Sequence, residues 1–314
     1  MQAYFLREFG KAVCGRSERM TPLFKSILCP VDFSAYSTLA VRYAAALAGE
    51  YRAKLIVYHS VPDLAQVSSY LEGNYIQTVT EALLASGREK LEEYSSVLIP
   101  GSVASTRMIG SGSAPEAILQ LAEKEKVDLI VMGTHGYSGY QKYLMGSVTN
   151  RVLHKCAIPV LAVCKPYHHF IHEGAEHPVS IRRILCAVDL EPNSRKVAQM
   201  GIALRRAYRS EIHFLYVSKK GDELSTDQTP IHFMRQFIEL EQEDWSTVQL
   251  HTGMGDPAQE ILKAAEHYGT DLVIMGHHTR RPIEEYLLGS VTKRVIPECP
   301  CPVLVVRSVD DLVS

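Results

Sequence analysis

The chain of 314 residues has 46% hydrophobic and 22% charged residues, and its formal net charge is -2 at pH 7. This composition is typical of a globular protein, and the length is sufficient for two domains of ordinary size. A charge so close to zero gives no general attraction to phosphate backbones, which argues against a nucleic-acid partner. The apolar runs at 129–132 and 302–306 have the length of strands and are too short to span a bilayer.

Residues 1–22 form an N-terminal extension that takes no part in the repeat described below. They mix basic residues with Glu8 and Glu18 and lack a long apolar core, so they do not match a secretory signal. Residues 10–17, GKAVCGRS, resemble a P-loop only partly, because Arg16 replaces the essential lysine. We therefore expect a cytoplasmic protein without a membrane segment.

The remainder of the chain is an internal repeat. SILCPVDFS at 26–34 recurs as RILCAVDLE at 183–191, and VDLIVMGTHG at 127–136 recurs as TDLVIMGHHT at 270–279. Farther along, YLMGSVTNRV matches YLLGSVTKRV, and CAIPVLAV matches CPCPVLVV. The second copy is about 14 residues shorter, and the difference lies in the connection between residues 60 and 110. A repeat of this length predicts two domains of the same fold.

Apolar runs of strand length alternate with helical patterns along the first copy. Strands are predicted near 26–31, 54–60, 104–109, 128–133 and 159–163, and helices near 35–50, 75–95, 115–125 and 147–155. Strands separated by helices imply a parallel sheet with right-handed crossovers, and their continuous apolar character fits strands covered on both faces. We predict two tandem doubly wound α/β domains, each a five-stranded parallel sheet with helices on both faces.

The domain boundaries follow from the limits of the repeat. Domain 1 is placed at 23–164 and domain 2 at 182–310, and the polar segment 165–181, with proline near both ends, is interpreted as a linker. The last strand of each copy would form a sheet edge, which proteins rarely leave bare. We therefore expect each of these edges to be covered, and homodimerisation of the whole chain stays open.

Three glycines surround the start of one predicted helix. Gly133 ends a buried strand, Gly136 lies in the following loop, and Gly146 precedes Ser147. Ligands bind at the carboxyl ends of parallel strands, glycine allows close backbone approach, and the first-turn N–H groups of a helix attract anions. With hydroxyl groups from Ser147 and Thr149, the pattern predicts a phosphate cradle. The alternative is that the glycines only turn the chain and Ser147 only caps the helix.

The spacing G-x2-G-x9-G-[S/T] resembles the nucleotide-binding signature of universal stress proteins. The similarity extends to CPVDFS after the first strand, HSV after the second and IPVLAV on the last, and it covers nearly all of residues 23–310 as two copies. The resemblance implies a fold like that of adenine nucleotide alpha hydrolases. It also implies bound ATP with Mg²⁺ on its phosphates, a stress-response or regulatory role, and a protein partner that the sequence does not identify. Because the last strand pairs across the dimer in this family, the resemblance further implies that the two copies pair as an intramolecular pseudo-dimer.

The family's ligand contacts can be transferred to matching positions of the first copy. The resemblance implies nucleotide contacts from Pro30, Val31, Asp32, Ser60, Met132, Gly133, His135, Gly136, Gly146, Ser147, Val148 and Thr149. In this assignment Asp32 accepts hydrogen bonds from ribose hydroxyls and His135 donates to phosphate oxygens. An alternative role for Asp32 is N-cap of the helix that begins near Ser34, and the two roles can hold together.

The second copy departs from the signature. It retains Gly276, Gly289 and Ser290. Thr279 replaces the middle glycine, and a β-branched residue is unfavourable at positive φ. Glu284 and Glu285 would repel phosphate, although Arg280 and Arg281 could offset them. We expect a degenerate second site.

Two other functions remain open. The first is ATP hydrolysis. Any hydrolysis should be slow, because the cradle of the first copy offers no carboxylate of its own to position water. The second is a nucleotide-free interaction scaffold with a metal-binding linker, built from His168, His169, His172 and His177 near Cys164, although their spacing matches no standard zinc module. The seven cysteines are interpreted mainly as small buried thiols of a reducing compartment.

Overall fold

The structure is a computed structural model that describes residues 23–62, 73–134, 145–164, 168–172, 178–191, 194–218, 230–238, 247–277 and 289–307. It contains two compact units, which divide between Val163 and Cys164. Unit one begins at Phe24, and unit two comprises the described residues from Cys164 onward. No helix within the described ranges is long and apolar enough to cross a membrane.

Unit one alternates strands and helices throughout. Its elements are β1 (Ser26–Pro30), α1 (Ala35–Tyr51), β2 (Lys54–Val61), α2 (Gly73–Leu98), β3 (Ser105–Ser111), α3 (Ala114–Lys124), β4 (Leu129–Gly133), α4 (Ser147–Lys155) and β5 (Val160–Val163). Each strand and helix predicted for the first copy is present, with ends shifted by a few residues. Such small shifts at helix and strand ends are usual.

Unit two repeats this order. Its elements are β6 (Arg183–Val188), α5 (Ser194–Tyr208), β7 (Glu211–Ser218), α6 (Pro230–Phe237), β8 (Val248–Met254), α7 (Pro257–His267), β9 (Leu272–Gly276), α8 (Ser290–Glu298) and β10 (Val303–Val306). The difference in length between the copies lies in the connection from the second strand to the third. In unit one this connection carries α2, which is 26 residues long.

All strand pairs within each unit are parallel. The order in unit one is β3-β2-β1-β4-β5, and in unit two it is β10-β9-β6-β7-β8. Right-handed crossovers then place α1 and α2 on one face of the first sheet and α3 and α4 on the other. In agreement, α1 packs beside α2, and α3 packs beside α4. The predicted tandem doubly wound α/β fold is confirmed.

The core lies between each sheet and its helices. In β1, Ile27, Leu28 and Cys29 are fully buried, as expected for a central strand covered on both faces. Helix α1 buries Ala40 and Ala44 at helical spacing, and such small side chains let the helix approach β1 and β4 closely. The six cysteines within the described residues are free thiols and buried, which agrees with their predicted packing role.

Part of the segment predicted as a linker packs as a small antiparallel pair. Ile171 and Val179 form an antiparallel bridge, and the Ser180 N–H donates to the Phe170 carbonyl at 2.8 Å. Phe170 and Val179 are buried, and the His168 N–H donates to the Pro300 carbonyl at 3.0 Å. These residues therefore belong to the packed structure of unit two.

Two histidines, His213 of β7 and His251 of β8, form a cluster with Tyr268 at the carboxyl end of α7. His213 Nδ1 lies 3.0 Å from His251 Nε2, and the Tyr268 hydroxyl lies 3.1 Å from His251 Nδ1. The ring centroids of His213 and Tyr268 are stacked 4.4 Å apart. Glu211 Oε1, which accepts from the Gln249 amide, is 3.4 Å from His213 Nε2. This arrangement accommodates neutral imidazoles, each donating one proton.

The pKa values of both imidazoles are lowered. Burial is the main cause for His213 and for His251, since it disfavours the charged form. Glu211 opposes the shift at both rings, whereas Arg183 adds to it at His213 and His267 adds to it at His251. The unfolded chain therefore binds more protons than the folded chain as the pH falls through the ordinary histidine range.

We expect the free energy of unfolding to decrease as the pH falls from about 7.5 to 5.5, since the unfolded pKa of histidine is about 6.5. Stability from the neutral cluster is present above that pKa and is lost below it. Urea unfolding at several pH values measures the effect, and His213→Gln should flatten the profile. The exposed His172→Gln serves as the control. An unchanged slope in His213→Gln would contradict the assignment.

Candidate functional site

The strand order of unit one reverses between β1 and β4, so the carboxyl ends of these neighbouring strands form a topological switch point. Asp32 follows β1, and Gly133 is the last residue of β4. Ser60 lies near the end of β2, which pairs with β1 on the other side. The fold thus brings residues from three separate segments to one edge of the sheet.

The turn between β1 and α1 is held by the side chain of Asp32. Its Oδ1 accepts the Ser34 N–H at 3.0 Å, and the intervening Phe33 adopts a left-handed φ of 64°. Ser34 is the N-cap of α1, and its Oγ accepts the Ser37 N–H at 3.2 Å. The alternative that Asp32 caps α1 is therefore wrong, because the helix begins too far along the chain for Asp32 to occupy the N-cap position.

Hydrogen bonds also fix the neighbours of Asp32 in the sheet. Pro30 and Val31 are buried, and the Val31 N–H donates to the Tyr58 carbonyl at 2.8 Å. The Ser60 hydroxyl donates to the Gly112 carbonyl at 3.2 Å. Gly112, which lies just before α3, has a φ of 123°, a conformation that glycine adopts much more readily than other residues. Ser60 therefore links the end of β2 to the turn before α3.

Gly133 is required by packing. A Cβ atom at this position would lie 2.8 Å from the carbonyl carbon of Tyr36 and 2.9 Å from its oxygen. The end of β4 therefore lies directly against the first turn of α1, and the preceding Met132 is buried in the sheet. This contact holds β4 beside the turn that carries Asp32.

The amino-terminal end of α4 is anchored to β4. The Gly146 N–H donates to the Thr134 carbonyl at 2.7 Å, and the Thr149 hydroxyl donates to the Gly133 carbonyl at 2.8 Å. The hydroxyl of Thr149 is thus engaged within the protein, and its backbone N–H remains as the group it can offer a ligand. Gly146 occupies the N-cap position, so the alternative role of Ser147 as cap is wrong.

The first turn of α4 presents the donors expected of an anion site. The backbone N–H groups of Ser147, Val148 and Thr149 precede the first intrahelical hydrogen bond, which runs from Asn150 N to Gly146 O at 2.9 Å. The Ser147 side chain is exposed. These donors and the partial positive charge of the helix end suit phosphate or carboxylate oxygens.

Ten of the twelve positions expected to contact a nucleotide lie within the described residues, at the ends of β1, β2 and β4 and the start of α4. His135 and Gly136 lie outside them. Ser34, Tyr36 and Thr134 support the site and were not singled out from the sequence. A serine at position 34, directly before the predicted helix, could have indicated the N-cap. A contact of Tyr36 backbone atoms leaves no signal in the residue type.

Unit two repeats the framework of this site. Asp189 Oδ1 accepts the Glu191 N–H at 3.1 Å, and Leu190 has a φ of 63°. The Thr292 hydroxyl donates to the Gly276 carbonyl at 3.4 Å. The altered loop residues Thr279, Arg280, Arg281, Glu284 and Glu285 lie outside the described residues.

The two units differ in the hydrogen bonding of the matching aspartates. In unit two the Ser194 hydroxyl donates to Asp189 Oδ1 at 2.5 Å, in addition to the backbone donor. Asp189 thus already accepts from a hydroxyl within its own unit. A ribose hydroxyl at this position would have to compete with Ser194.

The linker histidines do not form a described metal centre. In the ranges that the structure covers, no three His, Cys, Asp or Glu side chains group closely enough to hold a metal ion. His177 lies outside those ranges. Burial raises the pKa of the neighbouring Cys164 thiol to about 12, which favours its protonated form.

The model of the universal stress protein family matches residues 23–163 and again residues 180–307. The chain belongs to the universal stress protein family. Its two matches make it a tandem member, with one copy of the family domain in each half.

Individual relatives agree with this assignment. A universal stress protein of Methanocaldococcus jannaschii is 34% identical over 144 residues, which cover 46% of this chain and 84% of that protein. One from Mycolicibacterium smegmatis is 25% identical over 297 residues, covering 90% of this chain and 96% of the relative. The crystal structure of a universal stress protein from Archaeoglobus fulgidus DSM 4304 covers 92% of this chain and 99% of its own, with a TM-score of 0.63 and 21% identity. This similarity indicates a shared fold along nearly the whole chain.

Gly133→Ala tests the packing at the switch point. The new methyl group would overlap backbone atoms of Tyr36, which cannot move without shifting α1. We expect a loss of about 1–3 kcal/mol in the free energy of unfolding, measured by urea denaturation. Gly101→Ala is the control, because a Cβ there meets nothing within 4 Å, and its change should stay within about 0.5 kcal/mol. Equal stability of the two variants would refute the packing role.

Proposed function

We propose that unit one binds ATP and that the protein acts in a stress response or its regulation through nucleotide occupancy. The observation that carries the proposal is the bond from the Thr149 hydroxyl to the Gly133 carbonyl. It joins the start of α4 to the end of β4, beside the strand that leads to Asp32. The Asp32 carboxylate, which accepts from hydroxyls, and the first-turn N–H groups of α4 are thereby held at the same edge of one sheet.

In the proposed complex the phosphates lie at the first turn of α4. Ser147, Val148 and Thr149 contribute backbone N–H groups, which donate to anionic oxygens without a side-chain charge. His135 and Gly136 are proposed to complete this end from the loop before α4. The described groups here are donors, which suit phosphate rather than a metal cation, so we propose that Mg²⁺ is held by the phosphate oxygens.

The nucleoside is proposed to lie toward β1 and β2. Asp32 uses Oδ1 for the Ser34 N–H, and a carboxylate has further lone pairs for the ribose hydroxyls. Pro30, Val31 and Met132 are apolar and buried or nearly so, which favours contact with a base. Ser60 contributes to the same end of the site.

Unit one should prefer ATP to GTP by about tenfold or more, because guanine carries more polar groups than adenine and the apolar residues Pro30, Val31 and Met132 would leave them without hydrogen-bond partners. Isothermal titration of the full chain with each nucleotide in the presence of Mg²⁺ measures the preference. Asp32→Asn preserves the size of the side chain and tests the ribose contact. Equal affinities for ATP and GTP would show that the nucleoside end does not recognise adenine.

The full chain should bind about one nucleotide rather than two. Thr279 and the two glutamates of the second loop make the second cradle less suited to phosphate, and Asp189 already accepts from Ser194. Calorimetric titration gives the stoichiometry. Gly146→Val should empty the chain by filling the cradle, and the matched Gly289→Val in unit two should leave binding unchanged.

A further variant separates backbone geometry from charge in the second unit. Thr279→Gly should raise the stoichiometry toward two if positive φ is the main obstacle. Two equivalent sites in the unmodified chain would contradict the proposal. Binding that survives Gly146→Val but is lost in Gly289→Val would place the working site in unit two.

A further inference from the structure

An aromatic and cationic cluster packs behind the Asp32 turn of unit one. The Phe33 cluster comprises Phe33, His59, Lys90 and Tyr94. The Phe33 ring centroid is 4.5 Å from that of His59 and 5.2 Å from that of Tyr94, which meets it edge-on at 89°. Lys90 Nζ lies over the Phe33 ring, 4.4 Å from its centroid. Edge-to-face rings and a cation over a ring face are both attractive arrangements.

The backbone of Phe33 is unfavourable, and the packing of its side chain helps to stabilise the turn. A φ of 64° is uncommon for a bulky residue other than glycine. On its own, the hydrogen bond from Ser34 N to Asp32 Oδ1 is a local contact that water can replace. Contacts of the half-buried Phe33 ring with side chains from β2 and α2 connect the turn to two other elements of unit one.

Two polar contacts connect the cluster with the adjoining segments. His59 Nδ1 lies 2.8 Å from the Val31 carbonyl, which can only accept, so the imidazole donates there. The Tyr94 hydroxyl donates to Thr38 Oγ1 at 2.9 Å, in the first turn of α1. The segment that contains Asp32 is therefore fixed before the turn through His59 and after it through Tyr94.

The equivalent turn of unit two keeps the backbone and lacks the ring. Leu190 has a φ of 63°, and Asp189 Oδ1 accepts the Glu191 N–H, as in unit one. An aliphatic side chain can form neither an edge-to-face contact nor a cation–π contact. Lys90 and Tyr94 come from α2, which lies in the connection that is longer in the first copy. The turn is thus common to both units, and its aromatic support belongs to unit one.

We propose that the Phe33 cluster is a positioning device that holds Asp32 in the geometry required by the nucleoside end of the ligand. This inference rests on the proposed binding of ATP by unit one. The cluster residues act through the turn, so none of them needs to touch the nucleotide. A turn that is already ordered loses less entropy when a ligand binds, which raises affinity without a new contact.

The test compares two probes that occupy different ends of the site. Phe33→Leu introduces the residue type of Leu190, which occupies the matching position in unit two. It should weaken the binding of adenosine and ATP by about tenfold. Binding of inorganic tripolyphosphate to the α4 end should not change. Phe33→Tyr retains the ring and should restore adenosine affinity. Leu190→Ala truncates the matching side chain of unit two and is the control. All are measured by calorimetry on the full chain.

Backbone order supplies a second readout. Amide hydrogen exchange at Ser34 should accelerate in Phe33→Leu and return to the wild-type rate in Phe33→Tyr, because the N–H donates to Asp32 only while the turn is held. If the wild-type chain binds ATP but Phe33→Leu leaves the affinity for adenosine unchanged, this inference alone would be overturned. Equal weakening of adenosine and tripolyphosphate would also overturn it, since that indicates general destabilisation. Absence of ATP binding in the wild-type chain would overturn the proposed function and this inference together.

Discussion

The contact between the end of β4 and the first turn of α1 orders the whole switch point of unit one. Gly133 has no side chain, and a Cβ there would lie within 2.9 Å of Tyr36 backbone atoms. The same residue supplies the carbonyl that accepts the Thr149 hydroxyl, which sets the position of α4. Because α1 follows the Asp32 turn directly, one packing contact relates the donor end of the site to its carboxylate end.

The order of strands and helices could be predicted because the signal occurs twice in the chain. Apolar strands such as β4 and β9 have nearly the same residues, and each is covered on both faces, so burial and repetition point to the same elements. The placing of Asp32 in the same site as Gly133 came from the resemblance to universal stress proteins, and it agrees with parallel strands that end at one edge of the sheet. Neither inference required knowledge of side-chain contacts.

The detailed roles within the site depended on short distances that residue types do not encode. The cap of α1 is Ser34 rather than Asp32, and the residue types alone are compatible with either assignment. The Thr149 hydroxyl donates inward, which requires the register between α4 and β4. Phe33 and Tyr94, which are in contact, lie far apart in the chain. Tyr94 belongs to α2, and the apolar periodicity of that helix indicates only that one of its faces packs against the rest of the domain.

A comparison of the two units distinguishes the backbone of the turn, which both share, from the hydrogen bonding of its aspartate, which differs. Phe33 and Leu190 have the same left-handed backbone, so this turn is a property of the connection between the first strand and the first helix of each copy. The acceptor atoms are used differently, since Ser194 donates to Asp189 in unit two. Recognition of a ligand depends on which polar atoms the surrounding side chains leave available, and at this position the two copies diverge.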